Sequence, residues 1–333
     1  MKIKNVKIGK NKVLKNIDIS FEKDNQILDT IVIAGSNGSG KTTLLESIWD
    51  GLEDKSENTT ILNGNIDVFF ENNEQILKGN LINELDSFNY HKDKNTIEYK
   101  IMTETIKIFP KLIYVPAEID FNEVKTETTN YKSEYKFFNI VDSDVIEDIP
   151  SYISSRIYYI ANTEEELTLK EVKEKVNAEI NGVFDILDLD VKLTGLSKDE
   201  KNMPIFVNSS GDEFDINQLS SGEKQLFLRT LSIKMLEPEN SIILIDEPEL
   251  SLHPKWQQRI IDVYKKIGKN NQIIVATHSP HVLGSVSNEN IFLLSKNKKG
   301  EIIVLSGDEL YTSYGQSADR ILEDIMGLET SRN

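Results

Sequence analysis

The run Gly35-Ser36-Asn37-Gly38-Ser39-Gly40-Lys41-Thr42, with Thr43 behind it, fits the pattern G-x-x-x-x-G-K-[ST] without mismatch. Glycines at these positions allow close backbone approach, so successive N–H groups and the start of a following helix can surround a β-phosphate. Lys41 then supplies a point charge for the β and γ phosphates, and the Thr42 hydroxyl a magnesium ligand. A second candidate is Asp246-Glu247, at the end of the apolar run Ser241-Ile-Ile-Leu-Ile. An acidic pair at a strand end is often only a cap or a turn. Beside a phosphate loop it can divide two tasks, because successive strand residues point opposite ways. Asp246 is expected to address the metal and Glu247 to polarise an attacking water.

Two further segments are open to more than one reading. Thr277-His278-Ser279-Pro280 ends the next apolar run, so His278 can stand beside Glu247 and sense a γ-phosphate, or serve only a structural role. His278 and His281 lack a third ligand nearby, which argues against a metal centre there. In Leu219-Ser-Ser-Gly-Glu-Lys-Gln225, Ser220, Ser221 and Gly222 can offer hydroxyl and N–H donors to an anion at a helix start. The same residues also read as a serine cap with Glu223 in the first turn. One phosphate cradle already being present, a second anion site is in surplus.

The elements that position these residues follow from the apolar pattern. Thr30-Ile-Val-Ile-Ala34 reads as a parallel strand buried on both faces, and Leu44, Leu45, Ile48, Trp49 and Leu52 recur at helical spacing after the glycine loop. Residues 59–121 are strand-like, with Asn63-Gly64 and Asn72-Asn73 as turns and a strand over 111–115 stopped by Pro116. An irregular acidic stretch follows. Thr168 and Glu171 form a capping box for a long helix whose face is Val172, Val176, Ile180, Val183, Phe184 and Leu187. The last third predicts a helix over 222–236, a strand over 241–245, a helix over 254–267 and a strand over 272–276. Short strands near 290–295 and 301–306 follow, then a helical stripe of Ala318, Ile321, Leu322 and Ile325. Such alternation predicts an α/β fold with a mostly parallel sheet flanked by helices, an antiparallel β subdomain and a helical insertion. The expected organisation is one domain over 1–333. Residues 1–119 carry the phosphate loop and β subdomain, 120–190 a mainly helical insertion, and 191–333 the remaining candidates.

The 333 residues include 38% hydrophobic and 28% charged, the balance of a water-folded globular protein. No apolar run approaches the ~18 residues of a membrane span, and the lysine-rich start MKIKNVKIGKNKVLKN lacks the apolar segment of a signal peptide. The chain is therefore read as cytoplasmic and without a membrane partner. Zero cysteines exclude disulfides and cysteine-based metal sites. A net charge of −17 repels nucleic acid on average, so any such contact needs a local basic patch or a partner; the charge equally suits a well-solvated surface.

Taken in order, GSNGSGKTT, LSSGE, IILIDEPE and ATHSP resemble the ATP-binding cassette (ABC) superfamily over most of the chain. The run Asp246-Glu-Pro-Glu-Leu-Ser-Leu-His-Pro254 resembles its RecF, SMC and OLD-like branch, the AAA-family ATPases of ABC type. The resemblance implies a P-loop NTPase head that binds ATP and Mg2+ and hydrolyses ATP. It implies Leu219 to Glu223 as the signature that meets the γ-phosphate held by another protomer, hence a homodimer with ATP sandwiched between subunits. That would account for the surplus anion site. By the same likeness Glu247 is the catalytic base, the neighbourhood of Ser251 the D-loop and His278 the switch histidine. Two departures stand out: Ser221-Gly222 replaces the usual glycine pair, with Glu223 closing the signature, and Val115-Pro-Ala-Glu118 offers Glu118 where a Q-loop glutamine is usual. The tail from Tyr314 to Leu328 is similar to that of ATPases in Septu-type and retron-associated anti-phage systems. No segment after the cassette reads as a nuclease, so a separate effector chain, for example a nuclease, is expected. A RecF- or SMC-like role in DNA repair or chromosome maintenance is the alternative, and a transporter ATPase subunit the remote one.

Overall fold

The computed structural model describes residues 2–53, 66–70, 111–117, 137–139, 149–199, 202–310 and 313–324. Strands β1 (Ile3–Asn11) and β2 (Leu14–Ser20) form a hairpin, and the short pair β3 (Glu22–Lys23) and β4 (Gln26–Ile27) leads into β5 (Thr30–Ala34). The phosphate loop joins β5 to α1 (Lys41–Glu53). Strand β6 (Ile66–Phe70) pairs antiparallel with β1, while β7 (Leu112–Val115) and β8 (Phe137–Asn139) pair parallel with each other. Helices α2 (Ile149–Thr163) and α3 (Leu169–Asn181) precede a small antiparallel sheet of β9 (Lys192–Leu196), β10 (Pro204–Val207) and β11 (Glu213–Asp215). Then come α4 (Ser221–Met235), β12 (Ile242–Asp246), α5 (Pro254–Gln257), α6 (Ile260–Lys265) and β13 (Gln272–Thr277). The chain continues with α7 (Pro280–Leu283), β14 (Ile291–Lys296), β15 (Ile302–Ser306) and α8 (Ala318–Asp324).

The central sheet runs β15-β14-β5-β13-β12-β7-β8, parallel throughout except for β15. This is the expected α/β fold of a P-loop NTPase. Every residue of β5, β12 and β13 is buried, because alternate side chains supply two separate cores. Ile31, Ile33, Ile242 and Leu244 face Leu44, Leu45 and Ile48 of α1 together with Ile8 and Leu14 of the hairpin. Val32, Ile243 and Ile245 lie in the opposite core with Val176 of α3 and Leu226, Phe227 and Leu231 of α4. Each such side chain contributes about 1.5–3 kcal/mol when fully buried. The loops at the strand ends are thereby fixed from both sides.

The antiparallel sheet is built from β1 and β2 with β6, joining strands of the first twenty residues to one from the 59–121 stretch. Other elements differ from expectation. The Thr168–Glu171 capping box is present, with Thr168 N–H donating to Glu171 Oε2 at 2.8 Å, but α3 stops at Asn181 and the chain turns through left-handed Asp188 (φ 54). Helix α2, within the stretch read as irregular, packs against α3 and α4 through Ile149, Tyr152, Ile153 and Ile160. The continuous helix expected over 254–267 is broken between α5 and α6, where Arg259 takes φ −119 and ψ −4 and its guanidinium donates to Ile186 O. The turn signals at 63–64 and 72–73, Glu118 and Ile325 lie outside the described residues. Among the described residues, no helix is long and apolar enough to cross a membrane.

Candidate functional site

Parallel register brings three strand ends to one edge of the sheet. Ala34 is opposite Thr277, and Asp246 is opposite Ala276, so the phosphate loop, the acidic pair and His278 converge although they are remote in sequence. Ligands of open α/β sheets gather at this carboxyl edge.

The loop itself is shaped by its glycines and by the hairpin. Ser39 N–H donates to Ser36 O at 3.1 Å, and Leu44 N–H to Gly40 O at 2.9 Å as α1 begins. Gly40 has φ 97, a conformation that L side chains rarely adopt, and a Cβ there would press on Leu14 Cδ2 at 2.7 Å. Ser36, Asn37 and Gly38 are exposed, whereas Gly35, Ser39 and Lys41 are buried. Lys41 Nζ folds back to donate to Gly35 O at 3.1 Å and Ser36 O at 3.4 Å. Burial lowers the Lys41 pKa, opposed by the charges of Glu247, Asp246 and Glu249. Thr43 O accepts the Ser47 hydroxyl at 2.6 Å, which ties the first turn of α1 to the second.

The Thr42 hydroxyl donates to Asp246 Oδ2 at 2.7 Å. Asp246 is 1% exposed, and its Oδ1 has no hydrogen-bond partner. Burial raises its pKa to about 6, resisted by the Thr42 hydrogen bond and assisted by the negative charge of Glu247. A hydroxyl beside a buried carboxylate with an unused oxygen is a donor set that suits a hard divalent cation. Ser39 Oγ is likewise buried without a partner.

Glu247 leaves the strand in a left-handed conformation, φ 44, while its N–H still donates to Ala276 O at 2.8 Å. This turn swings its carboxylate away from that of Asp246 and towards β13, where Oε1 lies 3.0 Å from His278 Nδ1. Glu249, to which no role was assigned from the sequence, completes the group. It is 5% exposed, and its Oε1 accepts from Thr277 Oγ1 at 2.6 Å and from the His278 N–H at 3.1 Å. Burial raises the Glu249 pKa, opposed chiefly by the Thr277 hydrogen bond. A hint was present in the run Asp-Glu-Pro-Glu, whose second glutamate comes only two residues after the first.

Ser220 to Glu223 stand apart from this cluster. Ser220 is the N-cap of α4: its Oγ meets Glu223 Oε2 at 2.5 Å, and its N–H donates to the same oxygen at 3.1 Å. The capping role is therefore real, and it leaves Ser220 and Ser221 exposed. Gly222 is buried against the Ser251 turn, where a Cβ would sit 2.6 Å from Ser251 O; Ser251 itself has φ 64. Behind this turn Arg229, also unassigned from the sequence, is 2% exposed and donates to Asp246 O and Glu247 O. An arginine inside the apolar run Leu226-Phe-Leu-Arg-Thr-Leu231 was the available sign.

The family model described as "AAA domain, putative AbiEii toxin, Type IV TA system" matches residues 31–284, from β5 to the end of α7, and so spans every residue of the cluster. The chain belongs to this AAA-domain family. Among curated members and relatives, it is 26% identical to the Septu protein PtuA of Bacillus thuringiensis over 91% of this chain and 79% of that protein. It is 25% identical to the retron Vc95 probable ATPase of Vibrio cholerae over 89% of this chain and 74% of that protein. Among solved structures, an SMC head bound to the C-winged helix domain of ScpA superposes with a TM-score of 0.51 and 14% identity, covering 93% of this chain and 99% of that one. At that identity the likeness is one of fold, and it agrees with the ABC-type head expected for this AAA-domain protein.

Proposed function

We propose that this protein binds ATP with Mg2+ between two copies of itself, hydrolyses it, and uses the cycle to switch a separate effector. The observation that carries the reading is the division of the candidate residues. Lys41, Thr42, Asp246, Glu247 and His278 meet at one sheet edge, while Ser220 and Ser221 are exposed at the start of α4, and Ser220 is bonded there to Glu223 rather than to the phosphate loop. A second copy, placed head to tail, would bring its Ser220, Ser221, Gly222 and Glu223 to the phosphate that the first copy holds.

In this reading the backbone N–H groups of Gly35 to Thr43 receive the β-phosphate, and Lys41 exchanges its carbonyl partners for phosphate oxygens. Thr42 and Asp246 hold the magnesium ion, which when bound neutralises charge on the phosphate oxygens. Glu247 orients a water and accepts its proton. His278, 3.0 Å from Glu247, fixes the direction of that carboxylate and is within reach of the γ-phosphate. Glu249 in turn holds the backbone of His278. Switching requires that ATP contact the closed pair better than the open one, a condition that a ligand shared between subunits satisfies. A separate effector is favoured by the likeness to proteins named for Septu and retron systems.

The test is the dependence of phosphate release on enzyme concentration. A site completed by a second copy gives a specific activity that rises with protein concentration until dimers saturate. A constant specific activity down to the lowest measurable concentration, with a monomeric mass, would sink the shared site. Co-purification from the native operon tests the effector, and recovery of the chain alone in both nucleotide states would count against it.

A further inference from the structure

Arg229 makes bonds that neither phosphate binding nor helix formation demands. It lies in the third turn of α4, 2% exposed. Nε donates to Gln225 Oε1 at 3.1 Å, Nη1 reaches Asp246 O at 3.4 Å and Glu247 O at 3.3 Å, and Nη2 donates to Ala117 O. One guanidinium thus joins α4, the end of β12 and the segment that follows β7. Guanidinium stays charged under any ordinary condition. Burial weighs against that charge, and Tyr264, Glu249, Asp246 and Glu247 offset it. A buried charge whose bonds go to backbone carbonyls positions the chain instead of forming a simple ion pair.

The carbonyl it holds belongs to a strained residue. Glu247 has φ 44, a region that L residues seldom adopt, and it precedes Pro248, which normally forces extended backbone on the residue before it. The direction of the Glu247 carboxylate depends on this backbone staying where it is. At its other end α4 begins with Ser220 to Glu223, and Gly222 rests directly on Ser251 O. A helix moves as a unit, so a shift of its first turn is delivered to Arg229 two turns on.

We infer that Arg229 is a positioning residue that ties the signature helix to the backbone of Glu247, so that engagement of one nucleotide by Ser220 to Glu223 sets the base that serves the other. The inference rests on the shared-site reading above and adds its route of coupling. Only the planar fork of arginine reaches Ala117 and the Asp246–Glu247 carbonyls together. Lysine keeps the charge and loses the bridge.

Arg229→Lys is therefore measured in two backgrounds. In otherwise wild-type protein kcat for ATP is expected to fall about 10- to 100-fold, with KM within about threefold, as for a reacting group left slightly misplaced. In the Glu247→Gln background ATP and magnesium still produce a dimer by light scattering. Gln225→Leu, which removes only the Nε acceptor, is expected to give the same kcat-selective loss at smaller size, and it guards against a folding defect in Arg229→Lys. Unchanged kcat in both variants overturns the inference, as does a loss of kcat matched by an equal loss of ATP binding or of dimer, the pattern of a merely structural arginine. Failure of Glu247→Gln alone to pair with ATP would instead remove the shared-site reading, and the coupling route with it.

Discussion

Thr42 and Asp246, 204 positions apart in the sequence, are joined by a 2.7 Å hydrogen bond from hydroxyl to carboxylate. The bond spans the phosphate loop and the neighbouring strand system, and it leaves Asp246 Oδ1 buried and unused. Two oxygens that belong to different chain segments are thus held close enough to share one hard divalent cation.

Asp246 should destabilise the nucleotide-free protein at neutral pH. Its folded-state pKa is about 6 against an ordinary value of 3.8, so folding opposes its ionisation. The cost is absent below about pH 4 and complete above about pH 6, amounting to about 1–3 kcal/mol. Asp246→Asn should accordingly melt a few degrees above wild type at pH 8, with the difference vanishing near pH 4, while phosphate release is abolished. A mutant less stable than wild type at pH 8 would show that the Thr42 bond outweighs burial.

Glu249→Ala should be among the most damaging single changes near the site. It leaves Thr277 Oγ1 and the His278 N–H without their acceptor, at an expected loss of about 2–4 kcal/mol in denaturant unfolding. Glu249→Gln retains an acceptor and no buried charge, so its stability should stay within about 1 kcal/mol of wild type. Equal losses in both variants would mean that the carboxylate charge, rather than its hydrogen bonds, holds His278.

Gly222→Ala places a methyl group 2.6 Å from Ser251 O. The first turn of α4 or the Ser251 turn must give way, which should lower stability by about 1–3 kcal/mol. Binding of a fluorescent ATP analogue to the monomer should be unaffected, since Lys41 and the loop are untouched; ATP-dependent pairing should fall. Weaker monomer binding with normal pairing would reverse the assignment of these two segments.

Lys41→Ala frees the carbonyls of Gly35 and Ser36 and removes the buried cation of the loop. Titration with the same analogue should show at least about a tenfold loss of affinity, the size expected for a charged hydrogen-bonding partner. Retained affinity would place the phosphates elsewhere.

What could be read in advance depended on how local the signal was. The phosphate loop, Asp246-Glu247, the Ser220 cap and the strands that carry them are written in short runs whose glycines, serines and apolar alternation act over a few residues. Arg229 and Glu249 are different. Their importance comes from a carbonyl just beyond β7, at Ala117, and a hydroxyl at the end of β13, at Thr277, and no spacing within their own segment announces it. The same reason accounts for the break after α5, where Arg259 reaches across to Ile186. Helix α2 is hidden for a local reason: its start carries Pro150, and Tyr158 and Tyr159 on its outer face are exposed aromatics rather than charged residues. Proline is nonetheless at home in a first helical turn.

Light scattering after size exclusion of Glu247→Gln, with and without ATP and magnesium, bears most directly on the shared site. Slowed hydrolysis should hold the nucleotide in place, so the mass should shift from one copy to two, or a pre-existing dimer should contract to a smaller radius. A mass and radius indifferent to ATP, in protein shown to have bound it, would contradict a site completed by Ser220 to Glu223 of a second copy.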